Sequence, residues 1–404
     1  MSINDQYPLA DIKVLDFTKM LAGPICTQNL SDMGAEVIKV EDRRQGDDSR
    51  VIPPFAGGNG SWFYGVNRNK RSISIDLKNP ASAQIVQKLV DWADVVVESF
   101  GGGVAERLGI GRKALMQKNP RLIYCSISAY GREGPNANLP GYEVMMQAFS
   151  GMMNITGEPN AGPARVAFSP LDQTTGIHAT TAIVAALRQR DRTGKGRFVE
   201  ASLFDTAAGF MALHAQDYWQ TGQLPQRWGS GMPSLCPYQA FRAADGDIVI
   251  AVGNDSLWRR FCVAAGLESY VDDPRFATNL ERVKNREATV ELVAGIIATR
   301  TVASWIDIFE RASVPCSAIH TIDEMYEHPQ ARARGTVMAY DHPTAGPMRA
   351  IAYPAKLDGM PRSVRRPPPV LGQHTDEVLR DLGCSADEIR NLYESEAIGP
   401  LEDQ

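Results

Sequence analysis

An α/β fold, with a parallel sheet in a large first domain and a smaller α+β domain after it, is predicted by three features of this chain. At 404 residues it exceeds what one hydrophobic core usually organises, so about two domains are expected. Roughly its first 130 residues alternate short β-branched runs with helical patterns, the rhythm of βαβ units and hence of parallel strands. From residue 224 the composition shifts to Gly, Pro, Ser, Trp and Met, a break before the second domain. The division expected is 1–223 for the large domain, 224–237 for a linker or flap, 238–328 for the small domain and 329–404 for a segment returning to the large one.

Residues 12–17 are strand-like, and Ala22-Gly23-Pro24 opens a helix with proline as its first residue, running through Cys26 and Leu30 to Gly34. Residues 36–41 are the next strand. Residues 45–64, rich in Gly, Pro and Asp and without a period, are expected as loop. Asn67-Arg68-Asn69-Lys70-Arg71 leads into a strand at 72–77; three cations in five residues make a solvated turn or a place to hold a phosphate. A helix at 80–92, a strand at 94–98, the turn Ser99-Phe100-Gly101-Gly102-Gly103 and a helical run with Arg107 follow. Strand, glycine-rich turn and helix together offer backbone N–H groups to an anion. The letters match neither a dinucleotide fingerprint nor a P-loop.

Residues 121–128 form a strand and 142–153 a helix whose Met145, Met146 and Phe149 are expected in the core. Past the helix near Asp172 come a turn at 193–196, a strand at 197–202 and a helix at 203–219 with an Ala-Gly interruption. In the second domain, strands at 248–252 and 317–319 and helices at 256–265, 286–297 and 303–311 are expected. Arg365-Arg366-Pro367-Pro368-Pro369 must be extended, and 375–382 has helix character.

The formal net charge is -5, from 42 Lys and Arg against 47 Asp and Glu, which gives no general attraction to nucleic acid or anionic membrane. Any polyanionic ligand must be met by a local basic cluster. The six cysteines stand far apart without a C-x-x-C pair, as expected of reduced, mostly buried thiols. The six histidines are scattered, with no H-E-x-x-H, so no metal site is expected, and His178 is expected as a packed core residue. No G-x-S-x-G elbow anchors a hydrolase. No apolar run approaches the ~20 residues that span a bilayer, and no secretory pattern opens the chain. A cytoplasmic location is the expectation.

One carboxylate stands out. Asp172 follows Pro170 and precedes Ile177, Thr180, Ile183, Val184 and Leu187, an apolar face at helical spacing. It is read either as an N-cap bonding the first free amides or as a nucleophile aimed from a helix N-terminus into a cleft. Spacing alone leaves both open.

Ten ordered stretches then carry a resemblance: VLDFTKMLAGP from Val14, GAEVIKVE from Gly34, GDDSR from Gly46, NKRSISIDLK from Asn69, ADVVVESF from Ala93, SPLDQTTG from Ser169, TGKGRFVEASLFD from Thr193, DGDIVIAVGND from Asp245, DDPRF from Asp272 and LGQHTDEVL from Leu371. The chain resembles the family III CoA-transferases, which include formyl-CoA transferase and carnitine CoA-transferase. The resemblance implies that Asp172 accepts the acyl group, with Tyr142 and Glu143 in the active site. It implies CoA contacts at Leu21, Ala22, Arg43, Ile75, Lys78, Ser99, Phe100, Gly101 and Arg107, and a flap echoed by Gly229, Ser230 and Gly231. It also implies a Rossmann-like large domain, an interlocked homodimer, and coenzyme A entering as an acyl-CoA substrate with no permanently bound cofactor.

Against the formyl-CoA enzyme, Lys19 and Leu21 replace a histidine and a glutamine, and Asp42 replaces an arginine, with Arg43 and Arg44 next door. Pro140 or Gly141 stands where that enzyme has a lysine. These departures point away from oxalate. Lys19, Arg43 and Arg165 suggest a small dicarboxylic acid as acceptor, with succinyl-CoA as donor. The alternatives are a racemase of α-methylacyl-CoA thioesters, in which Tyr142 would stand where a histidine base belongs, and a non-catalytic acyl-CoA-binding subunit.

Overall fold

Parallel pairing organises the larger part of the chain in the computed structural model, which describes residues 6–399. β1 (Lys13–Phe17), β2 (Glu36–Glu41), β3 (Lys70–Ser74), β4 (Val95–Glu98), β5 (Ile123–Ser128) and β6 (Phe198–Ser202) form one six-stranded sheet in the order β3-β2-β1-β4-β5-β6. Every neighbouring pair is parallel, with Lys13 beside Glu36, Leu15 beside Val96 and Val97 beside Cys125. Val14, Leu15, Val95, Val96 and Val97 are fully buried, so consecutive residues point into apolar layers on both faces, as parallel strands flanked by helices require. This is the Rossmann-like order. It reverses between β1 and β4, and open sheets of this kind bind ligands outside the carboxyl ends of the strands at that reversal.

The helices cover the faces. α1 (Ala22–Asp32) starts two residues ahead of Pro24, whose ring still falls in the first turn, where its missing N–H loses no intrahelical hydrogen bond. α2 (Ala83–Trp92) buries Ile85, Val86, Leu89 and Val90, one stripe at helical spacing. α3 (Glu143–Phe149), α4 (Pro170–Thr193) and α5 (Leu203–Phe210) follow, and a further helix, Ala212–Thr221, resumes after a break at Met211.

Several sequence expectations are corrected. Residues 45–64 are not plain loop: they hold a short 3-10 turn at Asp48–Val51, a two-residue hairpin and the start of the helix Ser61–Val66. The expected strand at 72–77 is Lys70–Ser74, and Ile75 instead bridges Ile398. The helix expected at 142–153 is broken at Gly151, whose φ is +83°, and Met145 and Phe149 are exposed while Met146 is buried. On α4, Thr180, Ile183 and Leu187 are buried, but Ile177 and Val184 are exposed and so is His178. Apolar spacing marks a face without saying what covers it.

A second unit consists of residues 152–165 and 217–328. Its three strands, β7 (Tyr238–Arg242), β8 (Asp247–Ala251) and β9 (Cys316–Ala318), pair antiparallel in the order β9-β8-β7. Trp258, Phe261, Trp305 and Phe309 are buried together beneath them. Residues 329–399 belong to the first unit. They supply the hairpin of β10 (Val337–His342) and β11 (Gly346–Ile351), and two helices, Thr375–Asp381 and Ala386–Glu394.

Candidate active site

The turn at the end of β1 rests on buried charge. Asp16 is wholly buried; one carboxylate oxygen accepts from the Thr18 amide (2.9 Å) and hydroxyl (2.6 Å), the other from the Thr27 hydroxyl (2.6 Å) and the Lys70 ammonium (3.1 Å). Burial pushes the Asp16 carboxyl up, but Lys70, Lys39 and the two threonines together hold it below the usual carboxylate range. Lys39, also fully buried, donates to the Thr18 carbonyl at 2.7 Å and pairs with Asp47 at 2.8 Å. Asp47 in turn accepts from the amides of Met20 and Ser49. Burial works against the Asp47 carboxylate, yet Lys39 and the amide donors outweigh it and bring its pKa down to about 2. These partners hold Met20 in a left-handed conformation, φ +70°, which turns the chain sharply into Leu21 and Ala22 at the mouth of the crevice.

The turn after β4 is tied to the same place. Glu98 accepts from the Phe100 amide at 2.7 Å, and Arg132 donates to Glu98 at 3.0 Å, to the Phe100 carbonyl at 2.9 Å and to the Ser126 hydroxyl at 2.6 Å. The Lys19 amide donates to the Ser99 hydroxyl at 3.3 Å, joining the two turns across the reversal. Leu21, Ala22, Ser99, Phe100 and Gly101, scattered over 80 residues of sequence, therefore lie on or beside the two turns at the strand-order reversal, where sheets of this kind form their binding crevice.

Helix packing carries Asp172 toward the first of these turns. A Cβ placed on Gly176 would lie 2.6 Å from the Ala22 carbonyl oxygen and 2.8 Å from Ile25 Cγ2, so the two backbones abut where only glycine fits. One turn on, the Thr180 hydroxyl donates to the Cys26 carbonyl at 3.3 Å and accepts from Asn29 at 3.4 Å. Gly176 beside Ala22 and Thr180 beside Cys26 means that α1 and α4 run parallel at this contact. Asp172, one turn before Gly176 on the same face, is thereby carried toward the Lys19–Leu21 turn. The cap reading is corrected: Ser169, at φ +52°, takes the N-cap position, and Asp172 is the third residue of the helix, half-buried. There the unbonded N–H groups of the first turn favour a negative charge.

Glu143 is buried at the start of α3, while Tyr142 before it is 69% exposed. Gln147 is the connection that the sequence did not reveal. Its amide donates to Glu143 at 2.7 Å and to the Val166 carbonyl at 3.1 Å, and its oxygen accepts from the Val166 amide at 2.9 Å. It ties α3 to the segment that enters α4.

Ile75 and Lys78 lie beyond the end of β3, with Ile75 buried and Lys78 exposed; Arg107, past the glycine turn, is exposed. Arg43, expected as a CoA contact, pairs with Glu396 at 2.7 Å. Gly229, Ser230 and Gly231 belong to the second unit, where Gly229 at φ +57° donates to the Gly157 carbonyl at 3.0 Å and a Cβ on it would strike the Glu158 carboxylate. Sequence reasoning also passed over Asp16, Lys39, Asp47 and Arg132, and its solvated turn at residues 67–71 is corrected: Arg68, Lys70 and Arg71 are buried, paired with Asp32, Asp16 and Glu36. Its one usable signal was a charged letter inside an otherwise apolar strand, as in VLDF and VIKV.

Residues 9–375 match the sequence family described as CoA-transferase family III. The chain belongs to the family III CoA-transferases. As such it is a transferase that takes CoA thioesters as substrates. The human succinyl-CoA:glutarate CoA-transferase is 36% identical over 400 residues, 99% of this chain and 90% of that protein. The succinate–glutarate CoA-transferase of Agrobacterium fabrum is 38% identical over 391 residues, 94% of this chain and 96% of that one. A CAIB/BAIF family protein from Brucella suis superposes with a TM-score of 0.83 at 34% identity, covering 93% of this family III transferase and all of the neighbour.

Proposed function

We propose that this family III transferase moves CoA from succinyl-CoA to a small dicarboxylic acid, with Asp172 as the covalent carrier. The observation that supports it most is the abutment of Gly176 on Ala22, which carries a half-buried carboxylate near a helix N-terminus toward the turn after β1 of a Rossmann-like sheet. The acceptor class is supported by relatives named for glutarate, D-citramalate and mesaconate.

An Asp172 oxygen attacks the thioester carbonyl, the C–S bond breaks and CoA thiolate leaves, giving a mixed anhydride. The thiolate attacks the Asp172 carboxyl carbon, expelling the donor acid and forming an aspartyl-CoA thioester. The acceptor carboxylate attacks that carbon, releases thiolate and forms a second anhydride. Thiolate then attacks the acceptor's acyl carbon and frees Asp172. Atoms and electrons balance with no oxidant or reductant. Each attack creates an oxyanion, and loss of one backbone N–H donor to it typically costs about 2.7–4 kcal/mol.

Lys19 suits the acceptor's second carboxylate. It stands at the same turn, and its partner Asp48 is half exposed, an ion pair that a substrate displaces at little cost. The interlocked homodimer belongs to the same proposal, supported by the exposure of Phe149, Phe168, Phe210 and Leu213, large apolar side chains of the kind a second copy covers.

Hydroxylamine added during turnover with succinyl-CoA and glutarate should leave a hydroxamate at Asp172, located by peptide mass spectrometry. Asp172→Ala should abolish exchange; full turnover by that variant removes the mechanism.

A further inference from the structure

The last described residues form a strap along the chain leaving β3. Ile398 pairs antiparallel with Ile75, the Asp76 amide donates to the Ala397 carbonyl at 2.9 Å, and the Gly399 amide to the Ser74 carbonyl at 3.2 Å. Asn79 donates to the Ser395 carbonyl at 2.7 Å. Ala397 and Ile398 are buried, so the strap is part of the first unit's core rather than a loose end. Between these anchors, Glu396 turns outward at φ +57°, a conformation that favours glycine. A glutamate kept there points to a use for its side chain.

Its partner is a packed cation. Arg43 stands two residues past β2, at the carboxyl edge of the sheet, and Nη1 donates both to the Glu396 carboxylate at 2.7 Å and to the Glu396 carbonyl at 3.1 Å. The Arg43 side chain is only 13% exposed, so its flexible stem is packed and one guanidinium nitrogen is held twice. Among the described residues, Arg44 is a more distant partner of the same carboxylate, at 3.8 Å. A guanidinium fixed in this way loses less conformational freedom when it meets a phosphate than one that must be ordered on binding.

We propose that Glu396 is a positioning residue for the nucleotide end of the CoA thioester: it holds Nη1 of Arg43 at the carboxyl edge of the sheet so that Nη2 meets a substrate phosphate, Nε being buried. This rests on the CoA-transferase reading and adds a residue on the C-terminal strap to its substrate site.

The test is steady-state exchange with succinyl-CoA, and with succinyl-pantetheine, which lacks the nucleotide phosphates. Glu396→Ala should raise the KM for succinyl-CoA roughly three- to tenfold, the range for losing one pre-ordered side chain, with kcat held. Its KM for succinyl-pantetheine should match that of the unaltered enzyme. Glu396→Gln, which keeps an acceptor oxygen, should restore most of the affinity. Glu396→Gly, which suits the left-handed backbone, should raise KM without lowering the thermal midpoint and so separates positioning from stability. In an Arg43→Ala background, Glu396→Ala should add nothing. An unchanged or lowered KM for succinyl-CoA in Glu396→Ala, or an equal rise with succinyl-pantetheine, overturns the inference while leaving the transferase reading intact. Absence of exchange in the unaltered enzyme overturns that reading instead.

Discussion

Replacing Gly176 by alanine tests the link between the helix that carries Asp172 and the crevice at the end of β1. Alanine is the better helix former by about 1 kcal/mol, so in open space this change would stabilise α4. Here the new methyl carbon would sit 2.6 Å from the Ala22 carbonyl oxygen, roughly 0.8 Å short of the 3.4 Å at which ordinary contact begins. The obstacle is backbone at the start of α1, so it cannot rotate aside. Overpacking of this kind costs about 1–3 kcal/mol, and with the propensity gain subtracted the net loss is about 1 kcal/mol. The helices must part, and a misplacement near 1 Å between reacting groups costs about 100-fold in rate. Differential scanning fluorimetry should therefore show a fall of a few degrees, and kcat should drop by one to two orders of magnitude while KM changes little. Gly295, inside the helix Arg286–Ile297, has nothing within 4 Å of its would-be Cβ and serves as the control, since alanine there should be neutral or stabilising. A Gly176→Ala enzyme as stable and active as the parent would refute the claim that this backbone contact sets the position of Asp172.

Two further predictions concern the buried charges. The Asp47 carboxylate is held down to about 2 against an ordinary 3.8, so its contribution is fully present above pH 4 and is lost as pH falls from 3.8 toward 2. Acid unfolding followed by circular dichroism should show this loss, worth roughly 2 kcal/mol, and Asp47→Asn should flatten that part of the curve. Arg132→Met leaves Glu98, whose side chain is 4% exposed, without its cation, and breaking such a pair costs about 3–5 kcal/mol. The measurement is urea denaturation, together with a raised KM for acyl-CoA from the loosened Ser99–Gly101 turn.

The parallel architecture was readable from the order of the letters because burial on both faces demands unbroken apolar strands, and Val95, Val96 and Val97 supply one. Asp172 could be singled out for the same kind of local reason, since proline before it and helical spacing after it mark a helix start. Local pattern failed where distant residues complete a structure. Arg43 finds Glu396 across 353 positions, and no spacing rule connects them. Lys39 and Asp16 stand inside apolar strands, and only the fold brings Asp47 and Lys70 to neutralise them.

Likewise Ile177 and Val184 belong to a helical face whose period is correct but which the described residues leave exposed there, and His178 beside them is exposed too. By itself, then, the sequence determined the elements, their parallel order and the carboxylate that begins α4, because these follow from periodicity and from the chemistry of near neighbours. Only the tertiary structure decided which charges are buried together, which glycine lets two helices touch and which strap holds Arg43, because those are contacts between segments that chain order leaves apart.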